Sequence, residues 1–188
     1  SKLLYAANRF DSSIAIFDIA RRRRIGLVPV LREPVGLALT PDGRLLFAAN
    51  SLPVGRSDAE HVAAEVSIID TATHTLAASV MLPNGSTGLR EIQISPDGRF
   101  AAVVHTVGRF YLPTTQLDRG WMSTNALSLI EIAGRRLAAT VLLDELDRGA
   151  ANPWAVQWSP DNRRIAVTHA GTHELSLIDA PALLSKIA

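Results

Sequence analysis

The sequence predicts an all-β fold, a partial β-propeller of about 3.5–4 four-stranded antiparallel blades. Three observations predict it. A turn motif recurs as Pro41-Asp42-Gly43-Arg44, Pro96-Asp97-Gly98-Arg99 and, altered, Pro160-Asp161-Asn162-Arg163. A strand ending on a carboxylate recurs at Asp18, Asp70, Glu131 and Asp179. The short apolar runs between these marks keep one order, repeating at roughly 40 residues plus insertions.

The turn comes first because it fixes two strands at once. Pro presets one backbone angle, and Asp-Gly or Asp-Asn supplies residues that tolerate positive φ. Thr40, Ser95 or Ser159 precedes each copy, and an apolar run follows it. Two apolar runs flanking such a turn read as a hairpin. The strand before the turn is A, and those after it are B, C and D.

The chain opens on a B strand, Leu3 to Asn8, which matches Leu45 to Asn50 almost residue for residue. The C strands are Ile14 to Asp18, Val66 to Asp70, Leu127 to Glu131 and Leu175 to Asp179, three of them with Ser second. The D strands are Ile25 to Val30, Leu76 to Leu82 and Leu137 to Leu143. The A strands are Val35 to Thr40, Ile92 to Ser95 and Trp154 to Ser159. The order is therefore B-C-D, A-B-C-D, A-B-C-D, A-B-C, with repeat units at about 1–34, 35–88, 89–152 and 153–188. The tail after Pro181 adds a D strand or a short helix, and Ala-Leu-Leu-Ser-Lys favours the helix locally. An arc this short leaves two apolar blade faces uncovered, so missing blades or a second chain are expected to complete the ring.

Composition narrows the function classes. The 188 residues are 47% hydrophobic with a net charge of +1. That balance gives no global attraction to nucleic acid or to an acidic membrane surface. No Cys is present, which excludes a disulfide, a Cys zinc site and a c-type haem attachment motif within this chain. No apolar run approaches the roughly 18 residues that span a bilayer. The chain starts on a strand-like run without Met, as an internal piece of a longer protein would.

Insertions carry the functional signal. Meander connectivity puts the A–B and C–D turns on one face and the B–C and D–A loops on the other. The B–C loop is short at 9–13, long at 51–65 and longer at 106–125, and the D–A loop at 144–153 is extended. All the extra chain falls on one face, where binding or catalysis usually resides.

The B strand ending in Asn (Asn8, Asn50), the C strand Val66 to Asp70 and the turn Ser95 to Arg99 together resemble the YVTN family of bacterial β-propeller repeats. His105 and His169 depart from its Asn. The third repeat, Gly120 to Ser128 with Asp147 to Trp154, is similar to propeller regions of large exported bacterial proteins. Some of these are joined to di-haem modules similar to cytochrome c peroxidase. The resemblance implies a periplasmic or extracellular location and haem, if any, in an absent domain.

Candidate sites divide by face. His105 and His169 end neighbouring B strands and His173 follows, so a metal site on the loop face is conceivable. The alternative is that each imidazole replaces the usual Asn in holding a strand end. Spacing names no further metal ligand. Asn8 and Asn50 could hold calcium, or could brace the next loop. Glu91 and Asp147 could serve as acid and base, but nothing pairs two carboxylates convincingly. The recurring C-strand carboxylates read as turn formers. Arg21 to Arg24 read as a solvated turn. Tyr111, Trp121 and Trp154, with Arg109, Arg119, Arg148 and Asn152, fall on the loop face and suit a protein or small-molecule contact surface. The leading expectation is a non-catalytic binding or scaffold module of an exported protein. The alternatives are the propeller part of a periplasmic haem-dependent oxidoreductase and a metal-dependent lactonase-like hydrolase. Neither nucleic acid nor a membrane span is expected.

Overall fold

The computed structural model describes residues 2–109, 122–145 and 149–187. Its strands form four antiparallel sheets in chain order. The first contains β1 (Leu3–Asn8), β2 (Ser13–Asp18) and β3 (Arg23–Pro29). The second contains β4 (Pro34–Leu39), β5 (Leu45–Asn50), β6 (Glu65–Asp70) and β7 (Thr75–Met81). The third contains β8 (Ser86–Thr87), β9 (Ile92–Ile94), β10 (Phe100–Gly108), β11 (Ser123–Glu131) and β12 (Arg136–Leu142). The fourth contains β13 (Pro153–Trp158), β14 (Arg164–His169) and β15 (Glu174–Asp179), followed by helix α1 (Ala180–Ser185). This is a partial propeller with the expected strand order.

The turns form for the reasons their residues supply. Thr40 Oγ1 donates to Asp42 Oδ1 at 2.6 Å, and the Arg44 N–H donates to the same oxygen at 3.0 Å. Gly43 takes φ 70° in this turn. Ser95 and Asp97 repeat the arrangement. On the C–D side, Asp70 Oδ1 accepts from the N–H groups of Ala72 and Thr73 at 2.8 and 2.9 Å. These bonds hold the Asp70 carboxyl below the usual carboxylate range. Asp179 occupies the same repeat position but caps α1 instead, accepting from the Ala182 N–H at 2.8 Å. Pro181 in the first turn removes a ladder donor, so the chain enters a helix where a D strand would start.

Two corrections concern the third blade. Its inner strand is split between β8 and β9, where Arg90 and Glu91 both bond to Val104 and interrupt the regular pairing. Ser86 and Thr87 pair with Val107 and Thr106, so they belong to the third sheet. Its B–C loop is also shorter than 106–125. Thr106, Val107 and Gly108 pair with Asn125, Thr124 and Ser123, which extends both strands to nine residues. The reason is that β8 covers the other edge of β10 and satisfies its backbone there. Gly85 permits this join, since a Cβ there would sit 2.1 Å from the Gly108 carbonyl oxygen.

Packing is between blades. Ile14, Ile16 and Val28 of the first sheet meet Leu46, Ala48 and Ile69 of the second. Phe47, Ile68 and Val80 leave the other face of the second sheet and meet Ile92, Val103 and Ile130. Leu127, Leu129 and Val104 meet Val156, Trp158 and Val167, and α1 adds Ala180, Leu183 and Leu184 to that core. The outer strands β3 and β7 are mostly exposed, which fits their place at the rim. The two end faces are uncovered: Leu4 and Leu27 on the first sheet are half exposed, and Leu175 and Leu177 on the last are 57% and 59% exposed. Phe47 is fully buried between the two middle blades. Phe47→Ala is expected to cost about 3–5 kcal/mol in urea unfolding, more than any conservative change in β3.

Candidate binding cleft at the propeller axis

The innermost strands of three blades share one irregularity. In β4 the register slips between Pro34 and Gly36, which leaves Val35 as an extra residue. In β13 it slips between Pro153 and Ala155, which leaves Trp154 extra. In the third blade the Arg90 N–H donates to the Val104 carbonyl at 3.1 Å, and the Val104 N–H donates to the Glu91 carbonyl at 3.2 Å. Two residues thus oppose one there as well. Ala49, Val104 and Thr168, the residues opposite, hold equivalent places one before Asn50, His105 and His169. Val35, Arg90 and Trp154 are therefore the same bulged position in successive blades. A bulge re-aims a side chain out of the alternating pattern.

All three line one open cleft of about 390 Å³, with Gly36, Leu37 and Glu91. The Arg90 guanidinium lies 4.4 Å from the centroid of the Trp154 ring. That distance suits a cation–π contact and leaves its N–H edge to hydrogen-bond. Trp154 is 50% exposed. Gly36 makes the cleft possible, because a Cβ there would lie 2.6 Å from the Arg90 carbonyl oxygen. Sequence reasoning selected Trp154 but missed Arg90, which reads as an ordinary loop residue. Its repeat equivalence to Val35 and Trp154 was the available signal.

The histidines go inward. His105 is fully buried, and its Nε2 lies 2.8 Å from Ser128 Oγ. His169 is 2% exposed, and its Nε2 lies 2.8 Å from Ser176 Oγ. Asn50 Nδ2 makes the equivalent bond to Ser67 Oγ at 3.0 Å. The recurring second-position Ser is thus the partner of the residue at the end of the B strand. In the first blade Ala15 replaces that Ser, and Asn8 Nδ2 donates to Ser13 Oγ instead. The two imidazoles brace strands and are not presented to a ligand on the loop face. Among the described residues, no group of three or more His, Asp and Glu is placed to hold a metal ion. Burial lowers the His105 pKa to about 4. Burial also lowers that of His169, partly offset by the charge of Asp144.

The remaining loop-face residues are scattered. Asn152 takes φ 56°, and its N–H donates to Asn125 Oδ1 at 3.1 Å. Asp144, which the sequence did not single out, accepts from the Asn125 N–H, from Asn125 Nδ2 and from the Ala150 N–H. This carboxylate ties the D–A loop to β11. The Arg109 N–H donates to the Met122 carbonyl at 2.7 Å. Tyr111, Arg119, Trp121, Asp147 and Arg148 lie outside the described residues. A second cleft, about 420 Å³, opens on the short-turn face between the two middle blades. Its carboxylates Asp42, Asp70 and Asp97 each use Oδ1 to hold their own turns.

No known protein-family profile matches the chain. It is 24% identical over 179 residues to hydrazine synthase subunit beta of Kuenenia stuttgartiensis, covering 94% of this chain and 44% of that protein. It is 29% identical over 104 residues to antigen Lp49 of Leptospira interrogans, covering 53% of this chain and 22% of that protein. The chain thus spans less than half the length of these relatives. Among solved structures, Kuenenia stuttgartiensis hydrazine synthase superposes with a TM-score of 0.71 at 21% identity, over 99% of this chain and 64% of that one. The likeness carries the fold.

Buried His105 gives a pH test. In the unfolded chain it titrates near 6.5, while folding lowers it to about 4. The unfolded state therefore binds more protons between those values, and stability falls as pH drops from 6.5 towards 4. The His105 contribution to that loss is on the order of 3 kcal/mol. His105→Asn, which copies Asn50, is expected to keep the Ser128 contact and remove this part of the acid sensitivity, read from urea melts at pH 7 and pH 4.5.

Proposed function

We propose that this chain is a non-catalytic β-propeller binding module of a larger exported bacterial protein, and that the axial cleft on its loop face holds the ligand. One observation carries the reading. The same bulged position supplies Val35, Arg90 and Trp154 in three successive blades and turns all three to one cleft. Repeats conserve what the fold needs. Divergence into an aliphatic, a cationic and an aromatic side chain at one register position is the mark of a surface fitted to something else. The YVTN-type repeat and the export it implies belong to this reading. So do further blades or a second chain over the end faces, where Leu4, Leu27, Leu175 and Leu177 are exposed.

A second reading is favoured by the likeness to a subunit of hydrazine synthase. There the arc is the propeller part of a redox enzyme assembly, with haem chemistry in a domain outside this chain. The full-length parent decides between them. A haem absorption band with Cys-x-x-Cys-His in the flanking sequence supports the assembly, and a haem-free parent supports the binding module.

The binding reading predicts that a fragment screen by two-dimensional NMR shifts signals of Val35, Arg90 and Trp154 together. Trp154→Ala with Arg90→Ala is expected to abolish those shifts without lowering Tm, since neither side chain is in the core. Shifts clustered on the short-turn face at Asp42, Asp70 and Arg135 would place the site elsewhere.

A further inference from the structure

Arg90 and Glu91 are consecutive, carry opposite charge and line one cleft, yet they do not pair. Among the described residues, no ion pair involves either of them. Arg90 rests its guanidinium on Trp154, and Glu91 Oε1 accepts from Gln93 Nε2 at 3.2 Å. In a regular strand, neighbouring side chains point to opposite faces. Here the bulge lets two neighbours flank the same space without forming an ion pair.

Such a cleft offers one cationic and one anionic contact to the same small molecule. Resting on a ring holds the guanidinium plane, so less rotamer entropy is lost when it binds a carboxylate through two N–H groups. Glu91 Oε2 is the complementary acceptor for an ammonium group. Val35 and Leu37 supply an apolar wall, and the exposed part of Trp154 an aromatic one. The volume of about 390 Å³ lies at the low end of ligand pockets, room for a single residue-sized molecule.

We infer that the axial cleft binds a small zwitterion of the amino-acid class, its carboxylate on Arg90, its ammonium on Glu91 and its side chain against Val35, Leu37 and Trp154. This rests on the binding reading above and sharpens it. Opposite charges on the protein favour a ligand that carries both over one that carries either alone, because each singly charged analogue leaves one protein charge desolvated and unpaired.

The test uses three probes of one shape: L-phenylalanine, phenylalaninamide and 3-phenylpropionate. Each is titrated by calorimetry and by NMR of the Trp154 indole. L-phenylalanine is expected to bind and to shift the indole signal. The amide and the propionate are each expected to bind at least about tenfold more weakly. Arg90→Met is expected to make L-phenylalanine bind no better than the amide. Glu91→Gln is expected to make it bind no better than 3-phenylpropionate. Thermal melts of both variants control for folding, and Trp154→Phe confirms the indole assignment. Equal binding of all three probes overturns the zwitterion assignment while leaving the cleft a binding site. An indole signal that none of the three probes moves also overturns it. If no fragment moves that signal either, the axial binding reading falls too.

Discussion

No blade of this fold can bury its own apolar surface, and the rest of the structure depends on that constraint. A four-stranded sheet is apolar on both faces here. Leu46 and Ala48 point from β5 towards the first blade, while Phe47 and Ala49 on the same strand point towards the third. Each inter-blade core therefore needs two sheets, and stability grows with each neighbour added. The helix α1 follows the same rule. Its Ala180, Leu183 and Leu184 close the core between the last two blades where the fourth sheet has no D strand. The end faces show the converse, with leucines left half exposed on the first and last sheets.

Within that stack, polar pairs fix the register. Asn50–Ser67, His105–Ser128 and His169–Ser176 join a B strand to the recurring Ser of the next C strand. A buried imidazole costs desolvation, and the bond to Ser offsets part of it. Holding His105 neutral is the consequence. The innermost strands do the opposite. There the register slips at one place in each of three blades, and the extra residue is released from packing duty. The propeller thus stays rigid at the B–C pairs and presents variable chemistry at the axis.

The blade order was legible because turns and C-strand carboxylates are local. Asp42 and Asp70 bond atoms within three residues of themselves, so their role is written in the adjacent sequence. The Ser of the C strand was visible as a repeat, but its partner was not, since Asn50 and Ser67 meet only through strand pairing. His105 illustrates the difficulty. Read as a strand end it belongs to the loop face. In the structure β10 continues to Gly108, which places the imidazole in the interior. Nothing near His105 in sequence announces β8, the short strand that makes this extension possible.

The sequence by itself determined an all-β repeat and the order of its strands. Those follow from turn chemistry, alternation and period, which are properties of neighbouring residues. Only the tertiary structure decided which side chains meet. Arg90 reaches Trp154, 64 positions away, because two bulges in adjacent blades turn equivalent residues to one axis. A bulge is a mismatch between two strands, so it has no signature in either strand alone.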